Sequence, residues 1–179
     1  MTDEPFAIDI VVEWPALTPQ RYEWDEGTDR VVPVEREEKF QPPEHYGCVP
    51  RAFSAADGEL LDVLLLRNDH PYRPGEHVRA RLIGVLRRSD GDNKLVVVDP
   101  RRSTLTDVAQ VEEERRAAMW RWFQRRHVLL RWEGPDAARA VLEDARRVWL
   151  LRAGRNEQPW PGSNTSTDSP RCGRLSSWR

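Results

Sequence analysis

Three carboxylates fall within six residues in the middle of the sequence. Asp57, Glu59 and Asp62 surround Gly58 and lead into the apolar residues 60–66. A glycine-containing turn, followed by a strand that directs Asp62 away from its apolar neighbours, would let these carboxylates converge on one point. Hard oxygen ligands arranged in this way suit Mg²⁺. The alternative is a polar turn in which Asp62 only caps a backbone group, because Asp and Gly are common turn residues.

A second group of charged residues, Asp90, Asp92 and Lys94, is spaced at intervals of two. In an extended chain all three side chains would face the same side. A tight hairpin explains the aspartates without any function, but it does not explain Lys94, one of only two lysines in a chain that otherwise uses arginine. A compact ammonium group suits a single phosphate oxygen. Glu13 and Arg21 belong to a third polar group, which lies on predicted strands.

The elements that must position these residues are mostly strands. Alternating apolar and polar residues, or short apolar runs, predict strands over residues 6–13, 21–25, 30–36, 60–66, 77–86 and 94–98. Residues 40–50 are predicted to form an ordered loop, and residues 89–93 a hairpin turn. Helical spacing of apolar residues predicts one helix over 106–126 and another that starts at 134–136. Strands first and helices last indicate a closed barrel flanked by helices.

The charge distribution restricts the possible partners. The 179 residues have a net charge of -2, but residues 1–62 hold 15 acids and 5 bases, and the rest hold 15 acids and 23 bases. Either the two halves attract each other across the fold, or carboxylates that hold cations face cations that hold an anion. The acidic first half disfavours a nucleic-acid binder, since backbone binding needs a basic track.

Several other classes of protein are disfavoured as well. No apolar run approaches the roughly 20 residues that cross a bilayer, and residues 1–5 do not resemble a signal peptide, so we expect a cytoplasmic protein without a membrane partner. Cys48 and Cys172 lie far apart and support neither a disulfide framework nor a thiolate metal site. We expect one domain over residues 1–153 and a disordered tail, rich in Ser, Asn, Gly and Pro, over residues 154–179.

The motifs, taken in order, resemble those of the soluble magnesium-dependent inorganic pyrophosphatases. The clearest matching segments are Ile10-Val11-Val12-Glu13-Trp14-Pro15, Arg21-Tyr22-Glu23-Trp24-Asp25, His45-Tyr46-Gly47-Cys48-Val49-Pro50, Asp57-Gly58-Glu59-Leu60-Leu61-Asp62-Val63 and Asp92-Asn93-Lys94-Leu95-Val96-Val97-Val98. No single segment is specific, but chance is a poor explanation for so many matches in the same order.

The resemblance implies an α+β fold made mainly of strands, namely an OB-like five-stranded closed barrel flanked by two C-terminal helices. It implies hydrolysis of pyrophosphate to two phosphates by a homo-oligomer, usually a hexamer in bacteria. The implied Mg²⁺ ligands are Glu13, Asp57, Glu59, Asp62, Asp90 and Asp92. The implied phosphate contacts are Arg21, Arg36, Tyr46, Lys94 and Arg126, with Glu59 and Tyr46 as the catalytic residues.

The sequence departs from the family pattern at positions that bear on the reaction. Glu59 stands where the family places an aspartate beside the attacking water, and the loop between Asp90 and Asp92 is shortened. A displacement of about 1 Å in a catalytic group can cost on the order of a hundredfold in rate. The alternative function is therefore a catalytically impaired relative that retains anion and metal binding and serves as a binding or partner subunit.

Overall fold

A computed structural model describes residues 6–35, 40–124 and 128–156. As the sequence pattern predicts, the strands come first: seven of them precede the first helix in this part of the chain. The strands are β1 (Ala7–Trp14), β2 (Tyr22–Asp25), β3 (Arg30–Pro33), β4 (His45–Phe53), β5 (Leu60–Leu65), β6 (His77–Arg88), β7 (Lys94–Val98) and β8 (Leu130–Glu133). The helices are α1 (Glu113–Phe123) and α2 (Pro135–Asn156).

Five of these strands form a closed barrel. Their order is β1-β4-β5-β7-β6, and β6 pairs back onto β1 to close the sheet. The β5–β7 pair is parallel and the other barrel pairs are antiparallel. β8 extends the sheet from β6, and β2 and β3 form a separate hairpin. The predicted five-stranded barrel with two helices is confirmed.

Both faces of the barrel strands are buried, each against a different helix. Leu61, Val63 and Leu65 belong to an apolar cluster that includes residues of α2. The alternate residues Leu64 and Leu66 belong to a second cluster, which includes residues of α1. Side chains alternate between the two faces of a strand. Asp62, two residues before Leu64, therefore lies on the face of β5 that packs against α1.

The parallel β5–β7 pair sets the register of the predicted site. Val63 of β5 lies opposite Leu95 of β7, which places the preceding residues, Asp62 and Lys94, beside each other. Both strands begin at the same end of the barrel because they are parallel. Asp62 and Lys94, which are 32 positions apart in the sequence, are thereby brought into contact.

The prediction of a loop over residues 40–50 is wrong, because β4 begins at His45 and pairs with both β1 and β5. Gly47, which suggested a loop, is required for this pairing: a Cβ there would lie 2.1 Å from the Val11 carbonyl oxygen. Pro50 lies within the irregular stretch between Val49 and Phe53, where the register with β5 shifts. A bulge tolerates a proline because its missing N–H breaks no ladder bond there.

The first helix is shorter than predicted. Asp107 caps a single 3₁₀ turn over Val108–Gln110, and its side chain accepts a hydrogen bond from the Ala109 backbone N–H. Val111 is then extended, so α1 begins only at Glu113. The predicted end of this helix, residues 125 and 126, lies outside the described residues.

The second helix begins at Pro135 as predicted and continues to Asn156. Residues 154–156, which were predicted to begin a disordered tail, are therefore helical. Residues 157–179 lie outside the described residues. None of the helices in the described part of the chain is long and apolar enough to span a membrane.

Candidate active site

Lys94 lies at the centre of the predicted site. Its Nζ donates hydrogen bonds to Asp62 and to Asp92, the latter at 2.5 Å. The Lys94 side chain is only 4% exposed. Burial by itself would lower the pKa of Lys94, but the two carboxylates outweigh burial and raise it. The site therefore contains a buried positive charge that is held between Asp62 of β5 and Asp92 of the turn before β7.

Aromatic rings cover one side of the Lys94 ammonium. The ring centroids of Tyr46 and Phe123 each lie 5.8 Å from Nζ, within the range of a cation–π contact. Trp122 packs edge-on against both rings. Burial raises the pKa of the Tyr46 hydroxyl, and the charge and hydrogen bond of Asp62 raise it further. Tyr46 is thus a neutral hydrogen-bond donor at physiological pH.

Glu13 is buried behind Asp62. Its Oε1 accepts a hydrogen bond from the Trp24 backbone N–H at 2.7 Å, and its carboxylate is also hydrogen-bonded to Cys48. Burial raises the pKa of Glu13 to about 7, against the opposing effect of the Trp24 hydrogen bond, and the charge of Asp62 adds to the rise. Near neutral pH the Glu13 carboxyl is therefore present in both protonation states.

The segment between β4 and β5, residues 54–59, is called here the acidic turn. Gly58 has a φ of +76°, a conformation that glycine adopts without strain, and the Glu59 N–H donates to Asp57 at 3.1 Å. Loss of hydration raises the pKa of Glu59, and the charges of Asp57 and Asp62 add to this effect. Within the described part of the chain, neither Asp57 nor Glu59 forms an ion pair. This side of the site carries excess negative charge.

The segment between β6 and β7, residues 89–93, is called here the paired turn. Arg88 Nε and Nη2 donate to the two oxygens of Asp90 at 3.0 and 2.6 Å. Arg88 Nε also lies 3.7 Å from Asp92 Oδ2. The hydrogen bond from Arg88 holds the pKa of Asp90 below its usual value. This side of the site carries its own cation.

Sequence reasoning missed two basic residues that shape the site. Arg88 falls on the same strand face as the fully buried Leu86, and this period-two position could have identified it. Arg152 of α2 donates from Nη1 to the Gly58 carbonyl oxygen at 2.8 Å and stacks on the Phe53 ring at 4.8 Å. No pattern in the sequence links Arg152 to the acidic turn, because the contact depends on how α2 packs on the barrel.

The structure brings Glu13, Tyr46, Asp62, Asp92 and Lys94 together, with the acidic turn on one side and Asp90 on the other. Arg21 pairs with Glu23 at 3.3 Å, and its positive charge partly opposes the rise in pKa that burial causes at Glu13 and Glu59. Arg36 and Arg126 lie outside the described residues.

The same geometry bears on metal binding. Over residues 6–35, 40–124 and 128–156, no group of three His, Cys, Asp or Glu side chains is already arranged around a point that could hold a metal ion. Asp57 and Glu59 of the acidic turn supply oxygen donors for such an ion, and Asp62, which also accepts a hydrogen bond from Lys94, lies beside them. The aspartates of the paired turn are engaged by Arg88 and Lys94.

Comparison with known sequences gives a consistent family assignment. Residues 10–150 match the family described as inorganic pyrophosphatase. An inorganic pyrophosphatase of Leifsonia xyli is 35% identical over 127 residues, which cover 66% of this chain and 76% of that protein. Soluble inorganic pyrophosphatase 2 of Chlamydomonas reinhardtii is 33% identical over 133 residues, covering 68% of this chain and 66% of that protein.

Comparison with solved structures agrees with the fold. An inorganic pyrophosphatase from Neisseria gonorrhoeae superposes with a TM-score of 0.69 at 24% identity, covering 80% of this chain and 91% of that one. The Helicobacter pylori enzyme gives a TM-score of 0.65 at 23% identity, covering 83% and 96%. With the barrel and the motifs matched over residues 10–150, the chain belongs to the inorganic pyrophosphatase family, the enzymes that hydrolyse pyrophosphate to two phosphates.

Proposed function

We propose that this chain hydrolyses pyrophosphate at the acidic turn, with Lys94 and Arg21 binding the phosphates and Mg²⁺ as the divalent cofactor that the family implies. The observation that carries this proposal is the buried Lys94 ammonium, held between Asp62 and Asp92 beside carboxylates that have no ion pair in the described part of the chain. A substrate that brings both negative phosphates and bound cations matches this arrangement of charge.

The acidic turn fits a divalent cation. Its carboxylates are the hard oxygen donors that Mg²⁺ prefers, and Glu59 titrates above its ordinary pKa because of lost hydration and the nearby acids. We propose that Asp57, Glu59 and Asp62 hold the ion, with Glu13 behind them. A divalent ion held there would lower the pKa of a water molecule and would neutralise the phosphoryl charge. The paired turn is a different case, since Arg88 and Lys94 already neutralise its aspartates.

The protein groups then have separate tasks. Lys94 and Arg21 donate hydrogen bonds to phosphate oxygens, and the neutral Tyr46 hydroxyl adds a further donor. The oxygen of water forms a bond to one phosphorus as the bridging P–O bond breaks, and the released proton passes to Glu59 and then to solvent. Arg36 and Arg126 remain proposed phosphate ligands.

The direct experiment is phosphate release from pyrophosphate with Mg²⁺ and with a chelator. We expect release that depends on Mg²⁺ and stops when the chelator is added. If a folded sample released no phosphate at any Mg²⁺ concentration, the proposal would be replaced by a binding or partner subunit that has lost turnover.

We also propose a cytoplasmic homo-oligomer, a hexamer by likeness to the family, with neither nucleic-acid nor membrane partners. The acidic first half supports the absence of a nucleic-acid partner. The proposed domain spans residues 1–153, although α2 continues to Asn156. Light scattering of the full chain tests the hexamer. Truncation after residue 156 tests whether the remaining tail contributes to thermal stability.

A further inference from the structure

Arg88 is a buried arginine for which the family resemblance gives no role. It is the last residue of β6, and its side chain is only 4% exposed. Nε and Nη2 donate hydrogen bonds to the two oxygens of Asp90, while Nη1 donates to the Phe123 carbonyl oxygen at 3.3 Å. A guanidinium fork on a carboxylate fixes the orientation of both groups, which a single ammonium contact does not do.

The backbone of the paired turn holds Asp90 over Arg88. The Gly91 N–H donates to the Arg88 carbonyl oxygen at 3.0 Å, and the Arg88 N–H donates to Asn93 Oδ1, also at 3.0 Å. These bonds fold the turn back on the end of β6. The carboxylate therefore meets the guanidinium of a residue only two positions earlier.

The second aspartate of the paired turn is also matched by positive charge. One oxygen of Asp92 lies 2.5 Å from Lys94 Nζ, and the other lies 3.7 Å from Arg88 Nε. Asp90 and Asp92 thus face two buried cations, of which Lys94 is shared with Asp62 and Arg88 pairs with the two aspartates of the paired turn. A divalent ion placed between these aspartates would sit against both positive groups, and removing a buried arginine from its carboxylate is unfavourable.

We propose that the Arg88 guanidinium takes the place of a metal ion beside Asp90 and Asp92, so that these two carboxylates hold no divalent ion in this chain. This inference rests on the proposed function, since it divides the metal-binding residues of that same site. It differs from the expectation that Asp90 and Asp92 are Mg²⁺ ligands. Divalent ions are then confined to the acidic turn and Asp62.

The test counts bound metal rather than turnover. Equilibrium dialysis with Mn²⁺, in which free Mn²⁺ is measured by electron paramagnetic resonance, gives the number of ions bound per chain. Arg88→Gln is expected to bind one Mn²⁺ more than the wild-type chain, because the two aspartates lose their cation. An equal count in a folded Arg88→Gln variant overturns the proposal. The difference between variant and wild type decides this, so the result is independent of whether the wild type turns over pyrophosphate.

Two control variants separate this effect from a general change in charge. Arg87→Gln removes the neighbouring arginine, which is 37% exposed and pairs with Glu133 at 2.9 Å outside the site. Arg88→Lys retains the positive charge at the same position. Neither variant is expected to gain an ion, and a gain of the same size in Arg87→Gln would overturn the assignment to Arg88.

A reverse experiment covers the case in which Arg88→Gln does not fold. Asp90→Asn, with folding checked by circular dichroism, is expected to leave both the number of bound Mn²⁺ ions and their affinity unchanged, because Asp90 is bound to Arg88 and not to metal. Loss of a bound ion in Asp90→Asn would overturn the proposal. Failure of the proposed function would look different, since Mg²⁺-dependent phosphate release would be absent from the wild type itself.

Discussion

The acidic turn and the paired turn contain the same kind of residue in different electrostatic surroundings. Asp57 and Glu59 of the acidic turn form no ion pair in the described part of the chain, and the pKa of Glu59 is raised by lost hydration and by the nearby carboxylates. Arg88 donates hydrogen bonds to both oxygens of Asp90 in the paired turn, and these bonds lower the pKa of Asp90. The two turns meet at Lys94, which contacts Asp62 from one side and Asp92 from the other.

This difference shows that a carboxylate cluster in a sequence does not by itself define a metal site. A divalent ion competes with any arginine or lysine that already pairs with a carboxylate, and only the fold decides where the arginines and lysines lie. The short turn after β6 places Arg88 beside Asp90 and Asp92, while Arg152, which reaches the acidic turn, donates there to a backbone carbonyl and not to a carboxylate.

The largest expected effect is that of removing Asp62, which pairs with Lys94 beside the acidic turn. Asp62→Ala removes a proposed metal ligand and one carboxylate on Lys94, so the activity should fall by about 10³-fold or more, as several kcal/mol of transition-state stabilisation are lost. The matched control is Asp144→Ala, at a 72% exposed aspartate that pairs only with Arg147 in the described structure. Steady-state phosphate release measures both variants, and unchanged activity in Asp62→Ala would contradict the metal assignment.

The second-largest effect is expected at Lys94, which contacts both Asp62 and Asp92. Lys94→Ala removes a charged donor to phosphate and should lower kcat/KM by about ten- to a hundredfold, since a charged hydrogen bond contributes about 1.5 to 3 kcal/mol. Arg147→Ala, at a 70% exposed arginine on α2, should change kcat/KM very little. Equal losses in the two variants would show that net charge, rather than position, controls substrate use.

Side-chain length in the acidic turn should have a smaller effect. Glu59→Asp shortens the carboxylate by one methylene, restoring the residue that the family pattern has beside the attacking water, and we expect activity to rise by about tenfold. Glu143→Asp provides a control at an exposed glutamate of α2. A lower rate in Glu59→Asp would show that the acidic turn has adapted to the longer side chain.

The smallest effects are opposite pH dependences at the two turns. The folded pKa of Asp90 is depressed, so its stabilising contribution is present above its ordinary value of 3.8 and is lost as pH falls through the folded pKa. Glu59 has a raised pKa, so its contribution is present below its ordinary value of 4.5 and is lost as pH rises through the folded pKa. Carboxyl carbon NMR titration in metal-free buffer measures both groups, and shifts of the same sign would remove the contrast.

The acidic residues of the site could be predicted from the sequence because their spacing is local. Asp57, Glu59 and Asp62 lie within one turn and one strand, and the apolar run after Glu59 predicts β5 correctly. The sequence was misleading where a local signal had a tertiary cause. Gly47 and Pro50 read as loop residues, yet Gly47 is needed for close approach of β4 to Val11, and Pro50 lies at a bulge.

The amino-acid sequence by itself determined the family, the order of strands before helices, and the residues that can bind cations or phosphate. These properties follow from hydrophobic periodicity and from the order of the motifs, both of which depend only on the positions of residues in the sequence. The tertiary structure alone decided which carboxylates are already paired. Arg88 reaches Asp90 only because the turn folds back, and Lys94 joins Asp62 to Asp92 only because β5 and β7 pair in parallel, so the charge balance at each end of the site depends on contacts that spacing does not encode.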